Sequence, residues 1–306
     1  MIGYITRRLG ACVPTLFVVV TLSFFLIRLA PGGPFDLERP LEPQVMANLR
    51  RIYQLDQPLI VQYGNYLASL LRGDLGPSFS VRDFTVAELL GHGLPVSVLL
   101  GTLALALSFG LGVLLGTLAA LRQNCGTDHA VMVGATLGLT IPNFVTGPLL
   151  QILLALTLHW LPVAGFDNGS IRNLIMPVIV LALPQIAVVA RLTRASMIEA
   201  LRANHIRTLR AYGLSQGGIA VHALRGALLP VVSYLGPAAA SLLTGSLVVE
   251  TIFGLPGIGR YFVDAALNRD YTMVMGTVVL VAAFVLVFNL IVDILYALLD
   301  PRVQEP

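Results

Sequence analysis

The stretch VSVLLGTLALALSFGLGVLLGTLAAL, residues 96–121, contains no charged side chain and no proline. A helix needs roughly 20 apolar residues to cross the hydrocarbon core of a bilayer, and this stretch is longer than that. Backbone groups inside lipid must be paired within their own segment, so we predict a helix here and not a strand. A membrane-spanning helix at this position decides the fold class of the chain.

Apolar runs of the same kind recur along the chain, at about 9–29, 130–158, 174–190, 227–249 and 273–299. With the stretch quoted above, they predict an all-α polytopic membrane protein with six transmembrane helices. The fourth span is short, at the lower limit of what can cross a bilayer. The first run is too long for the apolar core of a secretory signal, so we predict that it remains as an uncleaved helix.

The composition agrees with a lipid environment and excludes several activities. Of the 306 residues, 56% are hydrophobic and 11% are charged, a balance that the surface of a water-soluble protein could not sustain. All 19 basic residues are arginine, which excludes a P-loop and a lysine Schiff base. Cys12 and Cys125 are too far apart for a metal motif, and the histidines lack ligand spacing. We therefore expect no catalytic residue, cofactor or metal, and the small net charge of +3 indicates no nucleic-acid partner.

Arginine predicts the orientation of the spans, because cytoplasmic segments retain positive charge. The segment at 191–226 carries six arginines against the single acid Glu199, so both termini are expected in the cytoplasm. We divide the chain into a spanning helix at 1–30, a periplasmic segment at 31–94 and a five-helix domain at 95–306. Within the periplasmic segment, 43–53 and 59–71 have the apolar spacing of helices.

Small residues and prolines indicate how the spans pack. Close helix packing is expected at four glycines, Gly112, Gly116, Gly134 and Gly138. Kinks or interruptions of the third and fourth spans are expected at Pro142, Pro148, Pro177 and Pro184. The ionisable side chains Arg28, Glu250 and Asp293 lie near span ends, where they can reach the interface. Acids are scarce in mid-span, so the energy for any transport is expected to come from a partner.

The segment at 191–226 is polar, long and organised. From Ser196 to Tyr212 it can form an amphipathic helix, and Gly213 then permits a sharp turn. Such a helix would present a basic knob to a cytosolic partner, or alternatively would lie on anionic lipid. The string GLSQG at 213–217 matches the nucleophile elbow of serine hydrolases, but it lacks the strand–turn–helix context that the elbow requires.

Several strings resemble the B-type permease subunit of bacterial oligopeptide and dipeptide ABC importers. RTLRAYGL at 207–214, HALR at 222–225 and LP at 229–230 are similar to the coupling loop of that family. Five further strings agree in order and spacing: RLAPGGP at 28–34, GDLGPS at 73–78, ETIFGLPGIG at 250–259, NRDY at 268–271, and DILY at 293–296 with DPR at 300–302.

The resemblance implies the type I ABC importer permease fold in the bacterial inner membrane and a pore that translocates oligopeptides. It implies three kinds of partner besides membrane lipid and the peptide: a second homologous permease, two ATP-binding subunits and an outer peptide-binding protein. By this resemblance, the residues that would contact an ATPase are Arg207, Thr208, Arg210, Ala211, Gly213 and Leu214. The residues that would form a gate or contact the binding protein are Glu250, Gly254, Pro256, Gly257, Arg269 and Asp270. The alternatives are import of dipeptides, nickel or another small peptide-like solute, and a secondary carrier that works alone.

Overall fold

A computed structural model describes residues 2–29, 33, 44, 46, 48, 51, 55–81, 83–167 and 170–299. The described residues exclude 30–32, 34 and 300–302, most of the helix predicted at 43–53, and the side chain of Asp293. The four described residues of 43–53 are helical.

The described part of the chain is built from helices. In chain order they are α1 (Ile2–Leu29), α2 (Leu59–Leu71), α3 (Val86–Leu121), α4 (Gly126–Thr140), α5 (Asn143–Leu150), α6 (Ile171–Arg202), α7 (Asn204–Ala211), α8 (Gln216–Ile252), α9 (Ile258–Leu267) and α10 (Tyr271–Leu299). A π-helix at Gln151–Thr157 continues α5. The all-α prediction is confirmed.

Five helices are long and apolar enough to cross a membrane, and a bent pair brings the number to six if it counts as one span. The bent pair joins α4 to α5 and its π-helix at an angle of 104°. Pro142 causes the break, because it lacks an N–H and pushes the residue before it out of the helical region. Ile141 accordingly has extended backbone, with φ −81° and ψ 118°.

The fourth and fifth spans are longer than the apolar runs that predicted them. The helix expected at 174–190 is α6, which has 32 residues, and the one expected at 227–249 is α8, which has 37. Hydropathy registers only the part of a helix that needs lipid. The end of α6 falls in the amphipathic helix predicted from Ser196, but its continuity with the span was missed, and the apolar run likewise omitted the start of α8. Pro177 and Pro184 lie inside α6 without ending it.

Helix α6 is the centre of the bundle. In its apolar window 67% of the residues are buried, against 22% in α3. Two glycines of α3 let the helices approach: a Cβ on Gly112 would lie 2.6 Å from Val189 Cβ, and one on Gly116 would lie 2.5 Å from the Ala190 carbonyl oxygen. The packing role predicted for these glycines is confirmed. A Cβ on Gly134 would meet nothing within 4 Å in this chain, so the packing predicted there is not made within the chain.

The chain path places two sets of short elements at opposite ends of the bundle. Helix α7 connects the end of α6 to the start of α8, whereas α9 follows the end of α8. Because α6 and α8 are antiparallel neighbours, α7 and α9 lie at opposite ends. The end of α1 and the start of α10 both line one cavity. They lie at the same end of the bundle as α9 and the start of α3.

Candidate functional site

Helix α7 presents most of the residues that the coupling-loop resemblance names. Arg207, Thr208, Arg210 and Ala211 are exposed on it, and Tyr212, which follows, is 82% exposed. The helix expected from Ser196 to Tyr212 is not continuous. It breaks at Ala203, whose backbone is extended with φ −65° and ψ 150°, so α7 turns away from α6 as a separate knob.

A small hydrophobic cluster fixes the knob to the bundle. Ile206 is completely buried on α7, and it packs with Met197 of α6 and with Ile219 and Ala223 of α8. Ala120 at the end of α3 belongs to the same cluster. One face of α7 is thus anchored on three helices, while the arginine-bearing face is free.

Gly213 ends α7 in a left-handed backbone conformation, with φ +79°. Its N–H donates to the Arg210 carbonyl at 3.0 Å, and the N–H of Leu214 donates to the Leu209 carbonyl at 3.2 Å. This pair of bonds is the Schellman motif, which favours glycine at this position. The Ser215 hydroxyl then accepts from the N–H of Gly218 at 3.3 Å and caps α8. The turn predicted at Gly213 is confirmed.

An ion pair braces α4 against α6 next to the knob. The Arg194 guanidinium donates from Nε to Asp128 Oδ1 at 2.5 Å and from Nη2 to Asp128 Oδ2 at 2.7 Å. The backbone N–H of Asn124 donates to the same carboxylate at 3.0 Å. Arg194 was interpreted from the sequence only as a topological charge, and Asp128 was missed. Their separation of 66 residues gives no local signal.

At the opposite end, the string ETIFGLPGIG folds into a compact turn around a buried carboxylate. Glu250 has no exposed surface, and its Oε2 accepts from the N–H of Gly259 at 2.7 Å. Gly254, with φ +61°, ends α8 in a second Schellman motif, in which the N–H of Leu255 donates to the Glu250 carbonyl at 2.9 Å. A Cβ on Gly257 would collide with the Glu250 carboxylate.

Helix α3 packs closely on this turn. A Cβ on Gly93 would lie 2.9 Å from the backbone of Gly257, and the Ser97 hydroxyl accepts from the N–H of Ile258 at 2.9 Å. Of the described residues that the sequence assigned to a gate or binding-protein contact, Glu250, Gly257 and Asp270 are buried, and Arg269 is exposed. Gly254 and Pro256 are partly exposed.

Asp270 joins the loop at 73–85 to the last helix. Its Oδ1 accepts from the N–H of Met273 at 3.0 Å and from the Thr272 hydroxyl at 2.8 Å. With these two bonds Asp270 caps the start of α10. Its Oδ2 accepts from both hydroxyls and both nearby N–H groups of the loop: Ser78 Oγ at 2.5 Å, Phe79 N at 2.9 Å, Ser80 N at 3.0 Å and Ser80 Oγ at 2.9 Å. Burial raises the pKa of Asp270, but these hydrogen bonds outweigh it and hold the pKa below its ordinary value.

The two ends and the apolar bundle between them define a class: a polytopic membrane component with one anchored helical knob at one end and a folded set of loops at the other. The comparisons identify the family. The chain belongs to the family described as "Binding-protein-dependent transport system inner membrane component", whose model matches residues 112–305. A second model, for the N-terminal part of such membrane components, matches residues 1–81.

Known relatives are similar over nearly the whole chain. The oligopeptide transport system permease protein OppB of Escherichia coli (strain K12) is 50% identical over 305 residues, which cover 99% of this chain and 100% of the relative. OppB of Haemophilus influenzae is 48% identical with the same coverage. The dipeptide transport system permease protein DppB of Bacillus subtilis is 43% identical, covering 99% of this chain and 98% of the relative. The resemblance stated from the sequence is confirmed, and the chain is a multi-pass inner-membrane permease component.

Proposed function

We propose that the chain is the pore-forming permease subunit of an ATP-driven, binding-protein-dependent importer that carries oligopeptides across the bacterial cytoplasmic membrane. Two of the relatives described above, 50% and 48% identical to the chain, are oligopeptide permeases. Its proposed partners are a second homologous permease, two ATP-binding subunits and a peptide-binding protein outside. The pore forms with the second permease, and the ATP-binding subunits hydrolyse the nucleotide.

The observation that carries the proposal is the construction of α7. A short helix with exposed arginines would be an ordinary surface feature if it were loosely attached. Here Ile206 is fully buried while Arg207 and Arg210 on the neighbouring positions are exposed. A surface built in this way can be gripped from outside and can transmit displacement to the helices beneath it.

The proposed orientation follows from the arginines. Helix α7 and both termini lie in the cytoplasm, where positive charge is retained. The ATP-binding subunits contact Arg207, Thr208, Arg210, Ala211, Gly213 and Leu214. The loop at 73–85, α9 and Arg269 then lie on the outer side, where they receive the binding protein. Glu250 and Asp270 hold this outer surface together from within.

Coupling is a shift between two conformational populations, so the ATPases must contact α7 differently in their two states. Movement of α7 reaches α6 and α8 through the cluster around Ile206. It reaches α4 through the pair of Arg194 and Asp128, and α3 through the close approach at Gly116. Displacement of the knob therefore moves much of the bundle together.

The test uses the assembled transporter in proteoliposomes, with ATP hydrolysis and oligopeptide uptake measured side by side. Arg207→Glu reverses one charge on the knob, and we expect uptake to fall more than about tenfold, which corresponds to about 1.4 kcal/mol or more. ATP hydrolysis should continue without transport, and the chain should still insert. Gly213→Pro should also lower uptake while ATP hydrolysis continues, because proline cannot adopt the left-handed backbone of this position.

The matched control is Arg122→Glu, which reverses an exposed charge at the same end of the bundle outside α7. Normal oligopeptide uptake by both knob variants would refute the coupling role. Uptake by the purified chain without ATP-binding subunits would identify a secondary carrier instead. Competition by dipeptides alone, with none by longer peptides, would identify the dipeptide alternative that the Bacillus subtilis relative represents.

A further inference from the structure

A cavity of about 280 Å³ lies between the end of α1, helix α2, the loop at 73–85 and the start of α10. Its size is just below the roughly 300–1,000 Å³ typical of small-molecule sites. The charged and hydrogen-bonding groups that line it include Arg28, Gln62, Tyr66 and Asp74, and Leu75 and Phe79 supply apolar surface. None of these residues belongs to the knob, and Arg28, Gln62 and Tyr66 lie outside the loop at 73–85 that is proposed to receive the binding protein.

The Arg28 guanidinium is held in a fixed position at this cavity. Its carbon lies 3.7 Å from the centre of the Phe24 ring, and its Nε donates to Gln62 Oε1 at 3.0 Å. Gln62 is itself buried and donates to the backbone carbonyls of Leu55 and Gln57. Among the described residues no carboxylate forms an ion pair with Arg28. Such an oriented guanidinium suits a phosphate or carboxylate oxygen.

Tyr66 adds a second donor. Its hydroxyl oxygen is buried and has no hydrogen-bond partner within the described part of the chain. Burial raises the pKa of Tyr66 to about 12, against a smaller opposing effect of Arg28, so the phenol keeps its proton at neutral pH. A buried hydroxyl without a partner is costly, and a ligand oxygen in the cavity would remove that cost.

Asp74 gives the cavity a negative charge in addition to the positive one. Its Oδ1 accepts from the N–H of Gly76 at 2.8 Å, which fixes the carboxylate in its turn. Arg28 and Asp74 line the same cavity but do not form an ion pair with each other. Two separate, opposite charges suit a ligand that itself carries both.

The location indicates a lipid rather than a free solute. The cavity lies where α1 ends at Leu29 and α10 begins at Tyr271, at the boundary between spanning segments and water. Helix α2 beside it exposes large apolar side chains, with Ile60 73% exposed and Leu71 89% exposed. Acyl chains can cover such side chains at a membrane surface.

We propose that this cavity binds the phosphoethanolamine headgroup of a phospholipid. Arg28 and the Tyr66 hydroxyl bind the phosphate, and Asp74 binds the ammonium group. The site does not depend on the proposed orientation, because phospholipid headgroups border both faces of the membrane.

The test is native mass spectrometry of the purified, delipidated full-length chain, titrated with phosphatidylethanolamine and with phosphatidylglycerol. The wild-type chain should retain phosphatidylethanolamine at least about fivefold better. Arg28→Gln should weaken both lipids about tenfold or more, since a hydrogen bond to a charged group is lost. Asp74→Asn should weaken phosphatidylethanolamine alone.

The matched control is Arg172→Gln, which removes an exposed guanidinium whose observed bond is to the Trp160 carbonyl. It should leave both lipids unchanged. Tyr66→Phe distinguishes lost binding from misfolding. Without lipid, the Tm of this variant should equal or exceed that of the wild type, yet the variant should bind phosphatidylethanolamine several-fold more weakly. Equal lipid binding by Arg28→Gln and Arg172→Gln would overturn the proposal. Preference for phosphatidylglycerol, or displacement of the lipid by inorganic phosphate or a trialanine peptide, would overturn it equally.

Discussion

The carboxylate of Asp270 lies 2.5 Å from the hydroxyl of Ser78, although 192 residues separate them in the chain. The bond ties the loop at 73–85 to the first turn of α10. The same carboxylate accepts two backbone N–H groups of the loop and caps the helix. One buried acid therefore sets the relation between an early loop and the last span.

Replacing Asp270 with asparagine should destabilise the folded chain. An asparagine places N–H donors against donors of the loop, and buried groups left unpaired cost about 1–3 kcal/mol each. We expect a loss of about 3 kcal/mol in the free energy of unfolding and faster proteolysis of the loop at 73–85. Thermal unfolding in detergent and limited proteolysis would measure both.

The control is Asp264→Asn, which changes an acid whose side chain is 58% exposed and whose bridge to Arg260 is 3.7 Å long. An exposed pair of this kind contributes little, so its Tm should stay within about 1 °C of the wild type. An equal Tm for Asp270→Asn and Asp264→Asn would show that the buried acid does not hold the loop.

Asp270 also predicts a pH dependence. Its pKa is lowered in the folded chain, so it contributes stability above the unfolded value of about 3.9, and this is lost as the pH falls through the folded pKa. The difference in Tm between wild type and Asp270→Asn should therefore be full at pH 6 and shrink below about pH 4. A difference that stays constant down to pH 3 would contradict this assignment.

The close approach of α3 and α6 predicts that replacing a glycine of α3 with alanine changes the Tm differently at two positions. Gly116→Ala places a Cβ 2.5 Å from the Ala190 carbonyl oxygen and 2.7 Å from Thr193 Cβ, and overpacking of this kind costs about 1–3 kcal/mol. Gly110→Ala adds the same methyl where nothing lies within 4 Å. We expect the first to lower the Tm and the second to leave it unchanged or raise it slightly. A Tm at or above wild type for Gly116→Ala would contradict the packing.

The attachment of α7 can be tested without touching its exposed face. Ile206→Ala removes apolar volume from the buried cluster at a cost of about 2–5 kcal/mol. Because the knob then loses its anchor, uptake per ATP hydrolysed should fall while Arg207 and Arg210 stay in place. Val221→Ala, at a position 56% exposed on α8, should leave this ratio unchanged. An unchanged ratio for Ile206→Ala would show that the anchor does not take part in coupling.

The ion pair of Asp128 and Arg194 between α4 and α6 should give non-additive effects on the Tm. Asp128→Asn and Arg194→Gln should each lower the Tm, and the double variant should lower it by less than the sum, because each single change already breaks the pair. The exposed pair of Arg260 and Asp264 is the comparison, and its two changes should add. Additive effects for Asp128 and Arg194 would rule out a direct interaction in solution.

The spans were predictable because lipid imposes a long apolar run on every helix that crosses it. The close glycines of α3 were predictable for a related reason, since helix backbones approach in membranes through small residues. The continuity of α6 and α8 beyond their apolar runs was not predictable from hydropathy, because a helix outside lipid needs no apolar run. The end of α6 was predicted only as a separate amphipathic helix from Ser196. Pro142 was singled out in the sequence, but the angle of the bend depends on packing around it.

The site was predictable only in part. The turn at Gly213 could be predicted, since a left-handed residue favours glycine. The break at Ala203 could not, because alanine is the best helix former and only its tertiary surroundings take it out of the helix. The partners of Asp270 and Asp128 come from distant parts of the chain, and one sequence carries no local pattern that pairs them.

Helix α8 begins at Gln216, three residues after Gly213, and ends at Ile252, two residues before Gly254. Both glycines have left-handed backbone. The 37 residues of α8 measure about 55 Å at 1.5 Å per residue, nearly twice the roughly 30 Å of a hydrocarbon core. A helix of this length can extend beyond the hydrocarbon core at both of its ends, although Pro230 and Pro237 lie within it. We expect probes attached at its exposed end residues, Gln216 and Thr251, to report on the two aqueous compartments separately.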